Sequence, residues 1–210
     1  MEKITLVCTT HNPDLNLLEK MLNSTYLDGC LFDNLIVHWN GKCIRSYNKI
    51  GKFPYILSIP EAYNYLIKNV VDTEWVCCFC DDDYFYPEGL AKMIAEVHEG
   101  IVAGVAHYKF HISGHVPPED KRCWFGRKEY DLCEQRPVTA SYFKRHNRLP
   151  AGSFFRKRAW EMAGGFQGTK CHDWNLWKRM AEVGIEFKYF DYLVYHHVRR
   201  NNSAWCRQNA

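Results

Sequence analysis

The run Trp75-Val-Cys-Cys-Phe-Cys80 leads straight into Asp81-Asp82-Asp83, and this junction constrains the fold more than any other stretch. An apolar run this short, with no polar face, fits a strand covered on both sides, and such strands belong to sheets packed between helices. The three carboxylates then fall at the edge of that sheet. If the extended geometry continues, alternation points Asp81 and Asp83 one way and Asp82 the other. Two readings stay open from this segment by itself. One is a pair of carboxylates for a hard divalent cation such as Mg2+ or Mn2+, whose sphere substrate phosphates complete. The other is a solvated acidic turn capping the helix that Pro87 opens.

The flanking pattern supplies the rest of an α/β chain. Lys3 to Cys8 reads as a strand, and Asn12-Pro13-Asp14 ends it and starts a helix with Leu15, Leu18 and Leu22 on one face. Leu35 to Trp39 is a second strand, closed by the turn Asn40-Gly41, and Tyr55 to Ile59 a third. Pro60 opens a helix on which Ala62, Tyr63, Leu66, Ile67 and Val70 recur at helical spacing. A helix from Pro87 to about His98 and a strand from Ile101 to Phe110 follow the acidic run. Beyond an irregular stretch come Phe154-Phe155, a short helix around Trp160 to Ala163, the turn Gly164-Gly165, a helix from about Trp174 to Val183 and a last strand near Phe187 to Tyr195. Trp174, Trp177 and Met180 face the core. Strands alternating with helices predict a Rossmann-like, mostly parallel sheet with helices on both faces.

With 210 residues, 47% of them hydrophobic, the chain can bury one sizeable core, and no linker or break in composition divides it. A single domain over 1–210 is expected. The opening strand is too soon interrupted by Thr9, Thr10 and His11 to be a leader peptide, and no apolar run reaches membrane-spanning length. The ten cysteines sit largely in apolar runs, where a free thiol behaves as a small hydrophobe. Reduced thiols and a cytoplasmic setting are therefore expected, rather than a disulfide framework or a zinc site. A net charge of +3 is too small to argue for nucleic acid. Residues 107–148 hold nine Lys/Arg against five Asp/Glu, interleaved with aromatics. That segment suits a ligand-binding surface, in which rings stack on flat apolar faces and cations meet a phosphate or carboxylate. A solvated irregular surface is the plain alternative.

Thr9-Thr-His-Asn-Pro13, Asn40-Gly41 and Asp81-Asp82-Asp83 all lie at the carboxyl ends of strands, where open α/β sheets bind ligands. Together with Pro87-Glu-Gly-Leu90, Gly164-Gly-Phe166, His172-Asp-Trp-Asn-Leu-Trp-Lys-Arg179 and Gly184, their order and spacing resemble the family 2 inverting glycosyltransferases. The resemblance covers roughly residues 3–14, 60–90 and 149–203. It implies a GT-A fold whose nucleotide-sugar-binding half spans about 1–100 and whose acceptor-binding half spans about 101–210. Asp81 and Asp83 match the Asp-x-Asp metal motif, with Asp83 on the Mn2+ or Mg2+ ion and Asp81 shared between that ion and the ribose or its waters. Thr9, His11, Asn12, Asn64 and Asp82 join the nucleotide-sugar contacts. Asn40 stands where the family commonly has Asp.

Inverting transfer needs a base for the acceptor hydroxyl, and Asp173 matches the second member of the family's Glu-Asp pair, with His172 in the place of the first. The structural alternative for Asp173 is a helix cap. Tyr195-His-His-Val-Arg-Arg200 resembles the family's terminal strand end. Either His196 or His197 reaches the metal, since alternation sends only one to the site. Arg199 and Arg200 clamp the diphosphate. The expected partners are a nucleotide-sugar donor and a glycan or other hydroxyl acceptor. Two rivals differ in class. A sugar nucleotidyltransferase would carry a Gly-rich loop after its first strand, which Thr9 to Pro13 does not offer. A family member that binds nucleotide-sugar or glycan without turnover is compatible with Asn40 and His172.

Overall fold

The computed structural model describes residues 2–10, 14–39, 44–46, 50–51, 58–100, 102–114, 129–130, 140–143, 149, 151–168 and 171–199. In chain order the elements are β1 (Ile4–Thr10), α1 (Leu15–Asn23), β2 (Asn34–Trp39), β3 (Ile44–Ser46), β4 (Ile50–Gly51), α2 (Ile59–Asn69), β5 (Trp75–Phe79) and β6 (Tyr84–Phe85). There follow α3 (Pro87–His98), β7 (Val105–Gly114), β8 (Glu129–Tyr130), α4 (Ala140–Phe143), β9 (Phe154–Arg156), α5 (Lys157–Met162), α6 (His172–Glu182) and β10 (Phe187–Arg199).

All ten strands join one sheet in the order β4-β3-β2-β1-β5-β9-β7-β10-β6, with β8 on the flank of β7. β1 pairs in parallel with both β2 and β5, and β7 pairs in parallel with β10. The other ladders are antiparallel, including β9 between β5 and β7. The expected α/β sheet is present, but it is mixed. Parallel pairing is confined to the longer strands β1, β2, β5, β7 and β10, and the short returns β3, β4, β6, β8 and β9 run against their neighbours.

Two apolar layers sandwich the sheet. On one side Leu18 and Met21 of α1 and Leu90, Met93, Ile94 and Val97 of α3 pack against Ile4, Leu6, Cys8, Cys77 and Phe79. On the other, Leu66 and Ile67 of α2 and Leu176, Trp177 and Met180 of α6 pack against Val7, Val76, Cys78 and Phe155. The alternation along β1 and β5 feeds both layers. Burying a large side chain of this kind is worth about 1.5–3 kcal/mol, so the sheet is held from both faces.

The connection from β1 crosses to β2 on one side, and the return through α2 reaches β5 on the other side of β1. The crevice at the carboxyl ends of β1 and β5 is thus a topological switch point, where sheets of this kind take ligands.

Several boundaries move. Asp14 caps α1 by accepting from the backbone N–H groups of Asn16 (3.0 Å) and Leu17 (3.3 Å). Leu15, expected on the buried face, is 62% exposed. Ile59 opens α2 behind the cap Ser58 rather than ending a strand, and 52–57 lie outside the described residues. β7 begins at Val105, and β10 runs on to Arg199 because β7 pairs with it in parallel past two register shifts. The turn at Asn40-Gly41 lies outside the described residues.

Candidate active site at the carboxyl edge of the sheet

The acidic run leaves β5 as a turn at Asp81 and Asp82, so the expected alternation of the three carboxylates is not kept. Asp81 turns to β1. Register pairs Cys8 with Phe79, which carries Thr10 opposite Asp81, and the Thr10 hydroxyl donates to Asp81 Oδ2. The turn gathers Cys80 Sγ and the carboxylates of Asp82 and Asp83, with donor atoms all within 4.8 Å of one another. The alternative reading, an acidic cap on α3, does not hold. β6 intervenes, and the cap position of α3 is Tyr86, with no side-chain cap bond.

Asp83 is completely buried, a costly place for a carboxylate unless donors surround it. β10 supplies them. The Val198 backbone N–H donates to Oδ1 at 2.7 Å, the Tyr195 hydroxyl donates to Oδ2 at 2.5 Å, and His197 Nδ1 lies 3.0 Å from Oδ1. Burial first, and then the Asp83 charge, push the Tyr195 phenol well above its ordinary value, so it stays protonated and donates. The antiparallel pairs Tyr195–Phe85 and His196–Tyr84 bring this end of β10 alongside the acidic turn. His197 Nδ1, at 3.0 Å from Oδ1, is placed either to donate to the carboxylate or to share an ion with it.

The two histidines divide as alternation requires. His196 stacks on Tyr84 at 4.5 Å and its Nδ1 meets the Tyr86 hydroxyl at 2.9 Å. It belongs to an aromatic packet away from Asp83, so the expectation of a ligand falls to His197.

Asp173 sits in the first turn of α6, one residue inside its start. It is not the cap. That position belongs to Cys171, which adopts left-handed geometry at φ 48° and makes no side-chain cap bond. The start of α6 is held at the same sheet edge by a relay. The Tyr63 hydroxyl donates to the Phe79 carbonyl at 2.9 Å, and the His172 ring packs 6.2 Å from Tyr63 and 5.7 Å from Phe166. Burial lowers the His172 pKa, against the opposing pull of Asp173, so His172 stays neutral beside that carboxylate.

Asn64 departs from its expected role. Its Oδ1 accepts from the Phe166 N–H (2.7 Å) and Trp160 Nε1 (3.2 Å), and its Nδ2 donates to the Phe166 carbonyl at 2.8 Å. These contacts tie the amide to Trp160 of α5 and to the turn that follows. Thr9 also turns inward: its hydroxyl is buried on the α2 side beside Tyr63, and Thr10 is the threonine that reaches the acidic turn. His11, Asn12, Asn40 and Arg200 lie outside the described residues, as does the side chain of Arg199 and most of 107–148.

Sequence reasoning missed Thr10, Tyr195 and Cys80. Thr10 was legible as the residue two places past Cys8 in a parallel pairing. Tyr195 carried no local signal, because its partner is 112 residues away. Cys80, at the end of the apolar run, was expected to be a small core hydrophobe. Cys8, Cys77 and Cys78 are buried, but Cys80 is partly exposed at the mouth of the acidic turn. Burial and the charges of Asp83, Asp82 and Asp81 push its thiol well above the ordinary value. The set of one sulfur, two carboxylates and a neighbouring imidazole suits a divalent cation.

No protein-family model matches the chain, and no curated protein matches its sequence. Solved structures share its fold. Residues 1–349 of Staphylococcus aureus TarS in complex with UDP-GlcNAc align over 97% of this chain with a TM-score of 0.71 and 15% identity. The complex of the same TarS segment with UDP aligns over 95% with a TM-score of 0.68 and 15% identity. The chain spans 60% and 61% of those two structures. The architecture is therefore a glycosyltransferase fold. Among the described residues, no helix is long and apolar enough to cross a membrane.

Proposed function

We propose that this chain is an inverting, metal-dependent glycosyltransferase of GT-A type, related to family 2. It moves a sugar from a nucleotide-diphosphate donor, UDP-linked by analogy with the TarS complexes, to an acceptor hydroxyl. The observation that carries the proposal is the pairing of buried Asp83 with His197 at the switch-point edge of a fold shared with TarS.

In this reading Asp83 and His197, whose Nδ1 stands 3.0 Å from the carboxylate, would hold Mn2+ or Mg2+ together, with Asp81, tied to Thr10, nearer the ribose or the waters of the ion. The chemistry such a cation supplies when bound is neutralisation of charge on the diphosphate leaving group. Asp173 is the base. It takes the proton of the acceptor hydroxyl as the new C–O bond forms at the anomeric carbon and the bond to the diphosphate oxygen breaks. The nucleoside diphosphate leaves with that electron pair. Neutral His172 is compatible with this role, since its own ring adds no positive charge beside Asp173. The basic aromatic segment 107–148 is assigned to the acceptor, and the cytoplasm is the proposed compartment.

The test is donor-dependent thermal stabilisation and nucleotide release with UDP-, GDP-, dTDP- and CMP-sugars, with and without Mn2+, for the native chain and Asp173→Asn. Stabilisation by one nucleotide class, with release lost in a variant that still binds donor, supports the proposal. Donor binding without release in the native chain, across a panel of acceptors, would instead favour a binding protein.

A further inference from the structure

Cys80 ends the run from β5 and stands directly ahead of the acidic turn, where a thiol is an unusual neighbour for carboxylates that face a hard ion. Cys80 Sγ and the carboxylate oxygens of Asp82 and Asp83 lie within 4.8 Å of one another. For three atoms so spaced there is always a point within 4.8 Å/√3, about 2.8 Å, of all of them. Metal–sulfur bonds of about 2.3 Å and metal–oxygen bonds of about 2.0–2.2 Å therefore need only a small contraction of a surface turn.

We propose that the Cys80 thiolate is a ligand of the cation held at this site, and that it sets which cation is preferred. The inference rests on the metal-dependent reading above and adds to it the identity of a ligand. Binding exchanges the thiol proton for the metal: the S–H bond breaks, a metal–sulfur bond forms and the proton passes to solvent. Sulfur is a soft donor, so the site favours Co2+ and Zn2+, and next Mn2+, over Mg2+, which demands an octahedron of oxygens. A site made of carboxylates alone would lack that bias.

The experiment titrates the full chain with Co2+, with and without UDP, and follows the near-ultraviolet absorbance for a thiolate-to-Co2+ charge-transfer band. Three proteins are compared: the native chain, Cys80→Ser, and Cys30→Ser/Cys171→Ser, which removes the thiols that are exposed among the described residues. The expected result is a band saturating at one Co2+ per chain in the native protein and in the double variant, and absent from Cys80→Ser. Competition by Mg2+ is expected to improve about tenfold or more in Cys80→Ser. One equivalent of bound Co2+ with no such band overturns the role of Cys80 and leaves the metal-dependent reading intact, as does a band that persists in Cys80→Ser. Failure of Co2+, Mn2+ and Mg2+ to bind with or without UDP overturns both.

Discussion

His197 holds Nδ1 3.0 Å from Oδ1 of Asp83, across 114 residues of chain, and Asp83 has no exposed surface. The contact joins the turn after β5 to the far end of β10. It depends on the antiparallel β6–β10 pairing, which sets those two segments side by side. A buried carboxylate shared by a histidine, a tyrosine and a backbone N–H is a rigid element, because losing any donor leaves a charge short of partners.

Tyr195→Phe tests that rigidity. The ring packs edge-on against Phe79 at 5.2 Å, and phenylalanine keeps that packing while removing the donor to Asp83. The expected loss is about 1–3 kcal/mol of unfolding free energy, measured by urea denaturation. A weaker Mn2+-dependent thermal shift with donor should accompany it. The double variant Tyr195→Phe/Asp83→Asn should cost less than the sum of the two single changes, since both act on one contact.

Asn64→Ala separates a structural amide from a ligand contact. It strips partners from the Phe166 N–H and C=O and from Trp160 Nε1, at a cost of at least about 2 kcal/mol. Donor affinity of the folded fraction should stay within about twofold of native. A large rise in donor Kd with stability unchanged would return Asn64 to the nucleotide site.

The difference between Asn64 and Asp83 shows what the sequence could reveal. Periodicity placed β1, β2, β5, α2 and α3, because local burial writes itself into spacings of two and about 3.6 residues. The acid at the end of β5 was legible for the same reason. The partners of Asp83 and of Asn64 were not, since each lies 96 residues or more away and is chosen by sheet order. Nothing local told β9 to run antiparallel between β5 and β7, and nothing in the doublet His196-His197 said which member would face Asp83 until β6 fixed the register.

Gly89→Ala should reverse the ordinary sign of a helix substitution. Alanine within a helix normally stabilises by about 0.5–1 kcal/mol over glycine. At Gly89, however, a Cβ would stand 2.0 Å from the Leu193 carbonyl oxygen, a backbone atom of β10. α3 must then lift from the strand that carries Tyr195 and His197. The expected outcome is a loss of about 1–3 kcal/mol by urea denaturation, whereas Ala91→Gly, elsewhere on α3, should cost about 1 kcal/mol by propensity.

His107 predicts an acid limit to stability. It is 1% exposed on β7, neither ring nitrogen has a hydrogen-bond partner, and burial lowers its pKa to about 4. An unfolded chain takes up this proton near pH 6.5, and the folded chain only near 4. Between those values the unfolded state binds more protons, so stability falls as the pH drops. The loss amounts to about 3 kcal/mol once both states are protonated. His38 and His172 are also lowered by burial, so the native curve contains more than one such contribution. The share of His107 is the difference between native and His107→Leu. Leucine keeps the position apolar and removes two unpaired nitrogens, so the variant should match or exceed native stability near pH 5 while differing little at pH 8. Parallel curves for the two proteins in urea melts from pH 8 to 4.5 would mean that His107 takes up its proton in the fold as readily as in the open chain.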